Sequence, residues 1–150
     1  MSRYGVRGVA LNLIRSYLRD RPQIVAYNDA SSDEAVINVG VGQGTCLGPE
    51  IYSIYTNDIG LYLSDHESSQ MMFADDTTLV LTGSDLHLLE ERANNLLLKV
   101  QRWCSFNKLS LCAPKTKATL FTNRRIPEEN LPNIRLNGVV IDFVSSHTYL

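Results

Sequence analysis

Two adjacent aspartates, Asp75 and Asp76, interrupt a stretch that otherwise reads as two strands, Met71-Met72-Phe73-Ala74-Asp75-Asp76-Thr77-Thr78-Leu79-Val80-Leu81. Apolar and β-branched residues on both sides favour strand, so the polar residues between them must turn the chain. Neighbouring side chains on a straight strand point to opposite faces, and the two carboxylates can serve one site only at a hairpin tip. Ala-Asp and Asp-Asp are poor two-residue turns, because such turns want positive φ and therefore glycine or asparagine. A local rule broken at a charged position predicts strain held for a function. Two carboxylates placed this way suit a hard divalent cation, Mg²⁺ or Mn²⁺, together with substrate phosphates; the alternative is a solvated turn.

The rest of the chain supplies a core for such a hairpin. Its 150 residues are enough for one domain, and 44% hydrophobic with 20% charged residues is the balance of a globular protein. No apolar run approaches the length of a membrane span. The first residues, with Arg3 and Arg7 among glycines, lack the apolar centre of a signal peptide, so an intracellular protein is expected. Cys46, Cys104 and Cys112 form no CxxC pair and have no histidine at zinc-ligand spacing, which predicts reduced, buried thiols. His66, His87 and His147 are scattered singly and read as surface or capping residues. A net charge of −2 argues against a domain that holds nucleic acid by overall charge alone.

In chain order, Val9, Leu13, Ile14, Tyr17 and Leu18 recur at three and four residues and predict an amphipathic helix over 9–19, ending before Pro22. Residues 23–27 and 35–39 read as a hairpin around the polar turn of Asn28, Asp29, Ser31, Ser32 and Asp33. The run Val39-Gly40-Val41-Gly42-Gln43-Gly44-Thr45-Cys46-Leu47-Gly48-Pro49 then leads into a second helix, continued by Ile51, Ile54, Tyr55, Ile59 and Tyr62. Glycines before a helix let backbone approach a ligand, but the run has neither the Gly-Lys-Ser/Thr of a Walker loop nor the third glycine of a dinucleotide fingerprint. After the aspartate hairpin, Ser84 or Asp85 caps a long helix whose stripe of Leu89, Ala93, Leu96, Leu97, Val100, Trp103 and Cys104 should pack on the hairpin sheet. Asn107 and Lys108 close it. A strand is expected over 116–122, with Lys115 and Lys117 flanking Thr116, and Asn137-Gly138 predicts a hairpin between 134–136 and 139–143. His147 to Leu150 looks like the start of a further strand, which suggests truncation.

These motifs together resemble the reverse transcriptases of non-LTR retrotransposons, most closely the jockey-like elements of insects. The resemblance rests on Gly42-Gln43-Gly44-Thr45-Cys46-Leu47-Gly48-Pro49, on Ile54-Tyr55-Thr56-Asn57-Asp58-Ile59, and on Phe73-Ala74-Asp75-Asp76-Thr77. It also rests on Asn107-Lys108-Leu109-Ser110-Leu111 with Lys115-Thr116-Lys117 and Leu120-Phe121, and on Arg3 to Gly8 with Arg15-Ser16-Tyr17-Leu18 upstream. It implies an α+β fold over 1–150, an antiparallel palm-type sheet backed by helices, taken from a right-hand polymerase and incomplete at both ends. It further implies RNA-directed DNA synthesis, with an RNA template, a DNA primer and a deoxynucleotide as partners and Mg²⁺ (or Mn²⁺) as cofactor. Asp75 would be the principal metal-binding carboxylate and Asp76 its helper. Two ions roughly 3.5 to 4 Å apart would then activate the primer hydroxyl and neutralise pyrophosphate. Gln43 and Gly44, with Phe73 and Ala74, would lie by the nucleotide and template, and Lys115 would offer charge or a proton to the pyrophosphate.

Two departures accompany the resemblance. Gly42 stands where the family usually has proline, which predicts a looser turn. The family's first metal-binding aspartate belongs to a strand preceding residues 3–21, and no residue of this chain replaces it; Asp20, Asp29, Asp33 and Glu34 fall at helix-end, turn or edge positions. The expectation is therefore a polymerase fragment inactive by itself. The alternative is a palm remnant that binds nucleic acid or a protein partner without catalysis.

Overall fold

The computed structural model describes residues 1–42, 44–64 and 68–145. The chain divides into two compact units, Met1–Thr56 and Asn57–Leu150.

In the first unit a single 3-10 turn, Ser2–Tyr4, precedes helix α1, Gly8–Leu18. The helix forms where the periodicity predicts it and stops at Arg19, whose extended backbone leads toward Pro22. Its apolar stripe is only partly covered among the described residues: Ile14, Tyr17 and Leu18 are half-buried, none of its residues is buried, and Val9 is 87% exposed. Strand β1, Arg21–Gln23, pairs antiparallel with β4, Ala35–Ile37. Between them β2, Ala26–Tyr27, and β3, Ala30–Ser31, form a second short ladder. The turn is thus tighter than the five-residue polar segment anticipated. It consists of Asn28 and Asp29, with Asn28 taking φ 52°, a conformation its side chain tolerates. The unit closes with α2, Leu47–Thr56, carrying Pro49 in its first turn.

The second unit begins with α3, Ile59–Leu63, so the helix expected to run through Tyr62 is two helices. The first ends at Thr56, whose hydroxyl donates to the Tyr52 carbonyl at 3.1 Å, and Asp58 accepts a hydrogen bond from the Trp103 indole at 3.2 Å. Strands β5, Ser68–Phe73, and β6, Asp76–Leu81, form the aspartate hairpin. Helix α4, Leu86–Phe106, follows; Asp85 caps it, its carboxylate accepting from the His87 and Leu88 amides at 2.8 and 3.4 Å. Lys108, at φ 53°, ends it in the left-handed conformation common after helices. His87 lies exposed in the first turn, as a surface histidine should; His66 and His147 lie outside the described residues.

The core of this unit is Ile59 and Leu63 of α3 against Leu96, Val100, Trp103 and Cys104 of α4. Leu79 and Leu81 of β6 pack onto it from the hairpin, as do Leu109 and Leu111. The stripe read from the sequence therefore meets the hairpin as expected. The strand expected over 116–122 is only β7, Lys117–Ala118, because its partner is equally short. After β8, Arg135–Leu136, and β9, Val139–Val140, joined by the Asn137-Gly138 turn, the chain runs into β10, Asp142–Phe143. That strand pairs parallel with β7, and Lys117 bridges Asp142 at 2.7 Å. The β8 segment is tied to α4 by Asn94, which accepts from the Arg135 amide at 2.8 Å, and by Glu90, which accepts from the Asn133 amide at 2.9 Å.

The fold is thus a mixture of helices and small sheets. All five ladders are two-stranded among the described residues, four of them antiparallel, and the aspartate hairpin has no third strand on either edge. No helix among those residues is long and apolar enough to cross a membrane. Of the cysteines, Cys104 is buried as anticipated, but Cys46 and Cys112 are exposed. The first sits in the glycine run and the second beside a 3-10 turn, neither of which faces a core.

Candidate catalytic hairpin

The register of the aspartate hairpin is continuous from Ser68 opposite Leu81 to Phe73 opposite Asp76. Its two-residue turn is therefore Ala74-Asp75, with Asp76 the first residue of β6. Ala74 takes φ 52°, a left-handed conformation that costs an L residue with a Cβ about 1–2 kcal/mol. This is the backbone strain expected from a turn lacking glycine. The other tight hairpin shows the contrast: Asn137 and Gly138 there have φ 52° and 79°, and both residue types accept it readily.

Phe73, Ala74, Asp75 and Asp76 are all exposed, and they are brought together by the turn itself. Among the described residues neither aspartate side chain has a hydrogen-bond or ion-pair partner, so their oxygens are open to solvent and ligands. No group of three or more His, Cys, Asp or Glu side chains poised to hold a metal occurs among those residues. Two carboxylates fit one hard cation completed by water and phosphate oxygens; they do not by themselves furnish a two-ion centre.

Lys115 ends the 3-10 turn Ala113–Lys115 in the same unit. It is exposed, and no ion pair joins it to Asp75 or Asp76 among the described residues. Gln43 lies outside the described residues. Gly44 belongs to the first unit, at φ 70°, with open space where a Cβ would stand.

The glycine run around Gly44 is not slack, contrary to the expectation from Gly42. The Tyr17 hydroxyl donates to the Thr45 hydroxyl, which in turn donates to the Gly42 carbonyl at 2.8 Å. A Cβ on Gly42 would fall 2.9 Å from the Tyr17 oxygen, so the residue lies tight beneath the ring hydroxyl. Arg21 holds the start of the run through the Val39 and Gly40 carbonyls at 2.8 and 2.9 Å. Tyr17 and Arg21 escape a sequence reading because they meet the loop across 18 or more residues. Their periodic positions mark a helix face and a strand start, and nothing more.

The model of the family described as reverse transcriptase (RNA-dependent DNA polymerase) matches residues 2–146. The chain belongs to the reverse transcriptase family. Among characterised proteins it is 29% identical over 143 residues to a probable RNA-directed DNA polymerase from transposon BS of Drosophila melanogaster, covering 92% of this chain and 16% of that protein. It is 25% identical to the RNA-directed DNA polymerase from the mobile element jockey of the same fly, and 27% identical to the probable RNA-directed DNA polymerase from transposon X-element, covering 92% of this chain and 15% of each. The chain thus spans under a fifth of the length of these relatives. No solved structure matches it.

Proposed function

We propose that this chain is part of an RNA-directed DNA polymerase and that its share of the catalytic centre is the β5–β6 tip, with Asp75 the principal metal-binding carboxylate and Asp76 its helper. One observation carries the reading: in a reverse transcriptase family member, two adjacent carboxylates stand open at a strained turn that glycine would have made cheaply. Their oxygens are the donors Mg²⁺ or Mn²⁺ prefers. Bound there with a deoxynucleotide, the cation would supply charge neutralisation for the primer hydroxyl and the departing pyrophosphate.

The chain's own groups would do the remaining work. Phe73 and Ala74 present an apolar surface beside the carboxylates for the nucleotide or template. By the family resemblance Gln43 and Gly44 would contribute to nucleotide and template binding; Gly42 and Thr45 beside them are pinned by Tyr17. Lys115, exposed and unpaired with the aspartates, would offer a point charge to phosphate. The substrates in this reading are an RNA template, a DNA primer and a deoxynucleotide.

With only two carboxylates at the tip, the isolated chain should hold one ion and not polymerise. The test is two-fold. A cation that binds only the folded state stabilises it by about 2.7 kcal/mol at a hundred times its dissociation constant. Mn²⁺ should therefore raise the unfolding midpoint of the chain, and the rise should vanish in Asp75→Ala/Asp76→Ala. No rise refutes the metal site, and template-dependent primer extension abolished by Asp75→Ala would refute inactivity. The shortfall of ligands also favours a second reading, a remnant that binds without turnover. Affinity for an RNA–DNA hybrid that survives Asp75→Ala and falls with salt would support it.

A further inference from the structure

Away from the hairpin tip, one face of α4 carries three of the nine lysines and arginines of this unit. Arg92, Asn95, Lys99 and Arg102 recur at three, four and three residues, which places them in one stripe of the helix, running about 15 Å along its axis. They form one wall of an open groove of about 400 Å³, whose floor is the apolar pair Leu81 and Leu96. Arg92 is fixed in place by donating to the Thr82 carbonyl at 3.2 Å. Lys99 and Arg102 are exposed and make no ion pair among the described residues, and no carboxylate among those residues lines the groove.

Three cations facing one concavity, in a chain of net charge −2, are a local departure from the overall balance. Like charges set at these spacings repel, and the arrangement is stabilised by an anionic ligand with repeated charges. Membership of a nucleic-acid polymerase family selects among such ligands. We propose that this groove binds single-stranded nucleic acid, its phosphates along Arg92, Lys99 and Arg102 and a base face against Leu81 and Leu96, with Asn95 able both to donate and to accept. The apolar floor suits an unstacked base of a single strand; a duplex would keep its bases stacked away from the floor. The site is separate from Asp75 and Asp76 and does not depend on their holding metal.

The test measures fluorescence anisotropy of a fluorescein-labelled oligothymidylate with the full chain across a salt series. Three phosphate contacts on a single strand predict that affinity falls roughly 20-fold between about 50 and about 200 mM salt. With Lys99→Gln/Arg102→Gln the fall should shrink to roughly threefold, one contact remaining. Lys99→Arg/Arg102→Lys keeps the charge and should keep the steep slope, which guards against a folding artefact. Arg124→Gln/Arg125→Gln, an exposed basic pair elsewhere, should leave it unchanged. The proposal is overturned if the Lys99/Arg102 variant binds like the parent or if the Arg124/Arg125 variant loses as much. It is also overturned if a matched duplex binds as tightly, or if polyglutamate competes as well as the oligonucleotide. Mn²⁺ stabilisation should persist in Lys99→Gln/Arg102→Gln, so the groove and the hairpin readings fail separately.

Discussion

Replacing Ala74 with glycine isolates the strain at the aspartate turn. Ala74 sits at φ 52° with its side chain exposed, so the substitution removes a methyl group without opening a cavity. Relief of the left-handed penalty is worth about 1–2 kcal/mol, and the greater freedom of glycine in the unfolded chain takes back about 0.4–1 kcal/mol. Ala74→Gly should therefore stabilise the second unit by about 0.5–1 kcal/mol. Trp103, the sole tryptophan and 4% exposed in that unit's core, reports its unfolding directly. In urea, at a slope of about 1.5 kcal/mol/M, the fluorescence midpoint should rise by about 0.3–0.7 M. A midpoint unchanged or lowered, with the slope constant, would refute the claim that alanine is strained here. The inference that the turn tolerates strain for its carboxylates would go with it. Ala74→Val, β-branched at positive φ, should move the midpoint the other way.

Four further outcomes follow from the packing. Cys46 and Cys112 should react with a thiol reagent at once in the native chain, and Cys104 only on unfolding, which mass spectrometry of the labelled protein would show. Burial raises the Cys104 thiol above its ordinary value of 9.0, so the unfolded chain loses that proton first; its stability contribution is whole below about pH 9 and is lost as pH rises through the folded value, which urea titrations between neutral and alkaline pH would register. Asp85→Ala removes the acceptor for two amides and should cost about 1 kcal/mol in the Trp103 midpoint, with Asp85→Asn restoring most of it. Gly42→Ala would crowd the Tyr17 hydroxyl, at 2.9 Å from the new Cβ, and should speed hydrogen exchange of the Thr45 and Gly48 amides; Tyr17→Phe should do the same if the hydroxyl is what pins the loop.

The elements that could be read from the sequence are those whose cause is local. Asn137-Gly138 fixes its own turn, and Asp85 caps the next residues. The stripe from Ala93 to Cys104 needs only its own spacing to predict a buried face. The errors arise where a distant or absent partner decides. Periodicity carries on from Ile51 to Tyr62, yet the helix breaks after Thr56, beside Asp58, which is bonded by Trp103 from across the core. Alternation over 116–122 promised a longer strand than β10 can pair. The candidate site divides in the same way. The exposed tip of Phe73, Ala74, Asp75 and Asp76 follows from its own eleven-residue context, as does its backbone strain. Tyr17, 25 residues from Gly42, carried no signal of its contact with the glycine run. The basic stripe of α4 was present in the spacing, but the apolar stripe of the same helix accounts for the fold and draws the eye first.

The burial along the hairpin has a mechanical consequence for any chemistry at its tip. Ser68, Gln70, Thr78, Leu79 and Leu81 are half-buried, with Leu79 and Leu81 held on the α3–α4 core, whereas every residue from Met71 to Thr77 is exposed. Only the ladder of β5 and β6 supports those exposed residues, and an isolated two-stranded ribbon is marginal in water. The base is therefore as stable as the core, while the tip can open at low cost without unfolding the unit. A carboxylate pair on such an arm is well exposed but poorly fixed, and electrostatic catalysis depends on groups held before the reaction starts. A third strand along β5 or β6 would add rigidity by pairing an edge that is open among the described residues. The same edge, long and flanked by exposed Met71, Phe73 and Val80, is where the isolated chain should associate first. Rigidity of the tip and resistance to aggregation thus depend on the same open edge, and a peptide that pairs with it should improve both together.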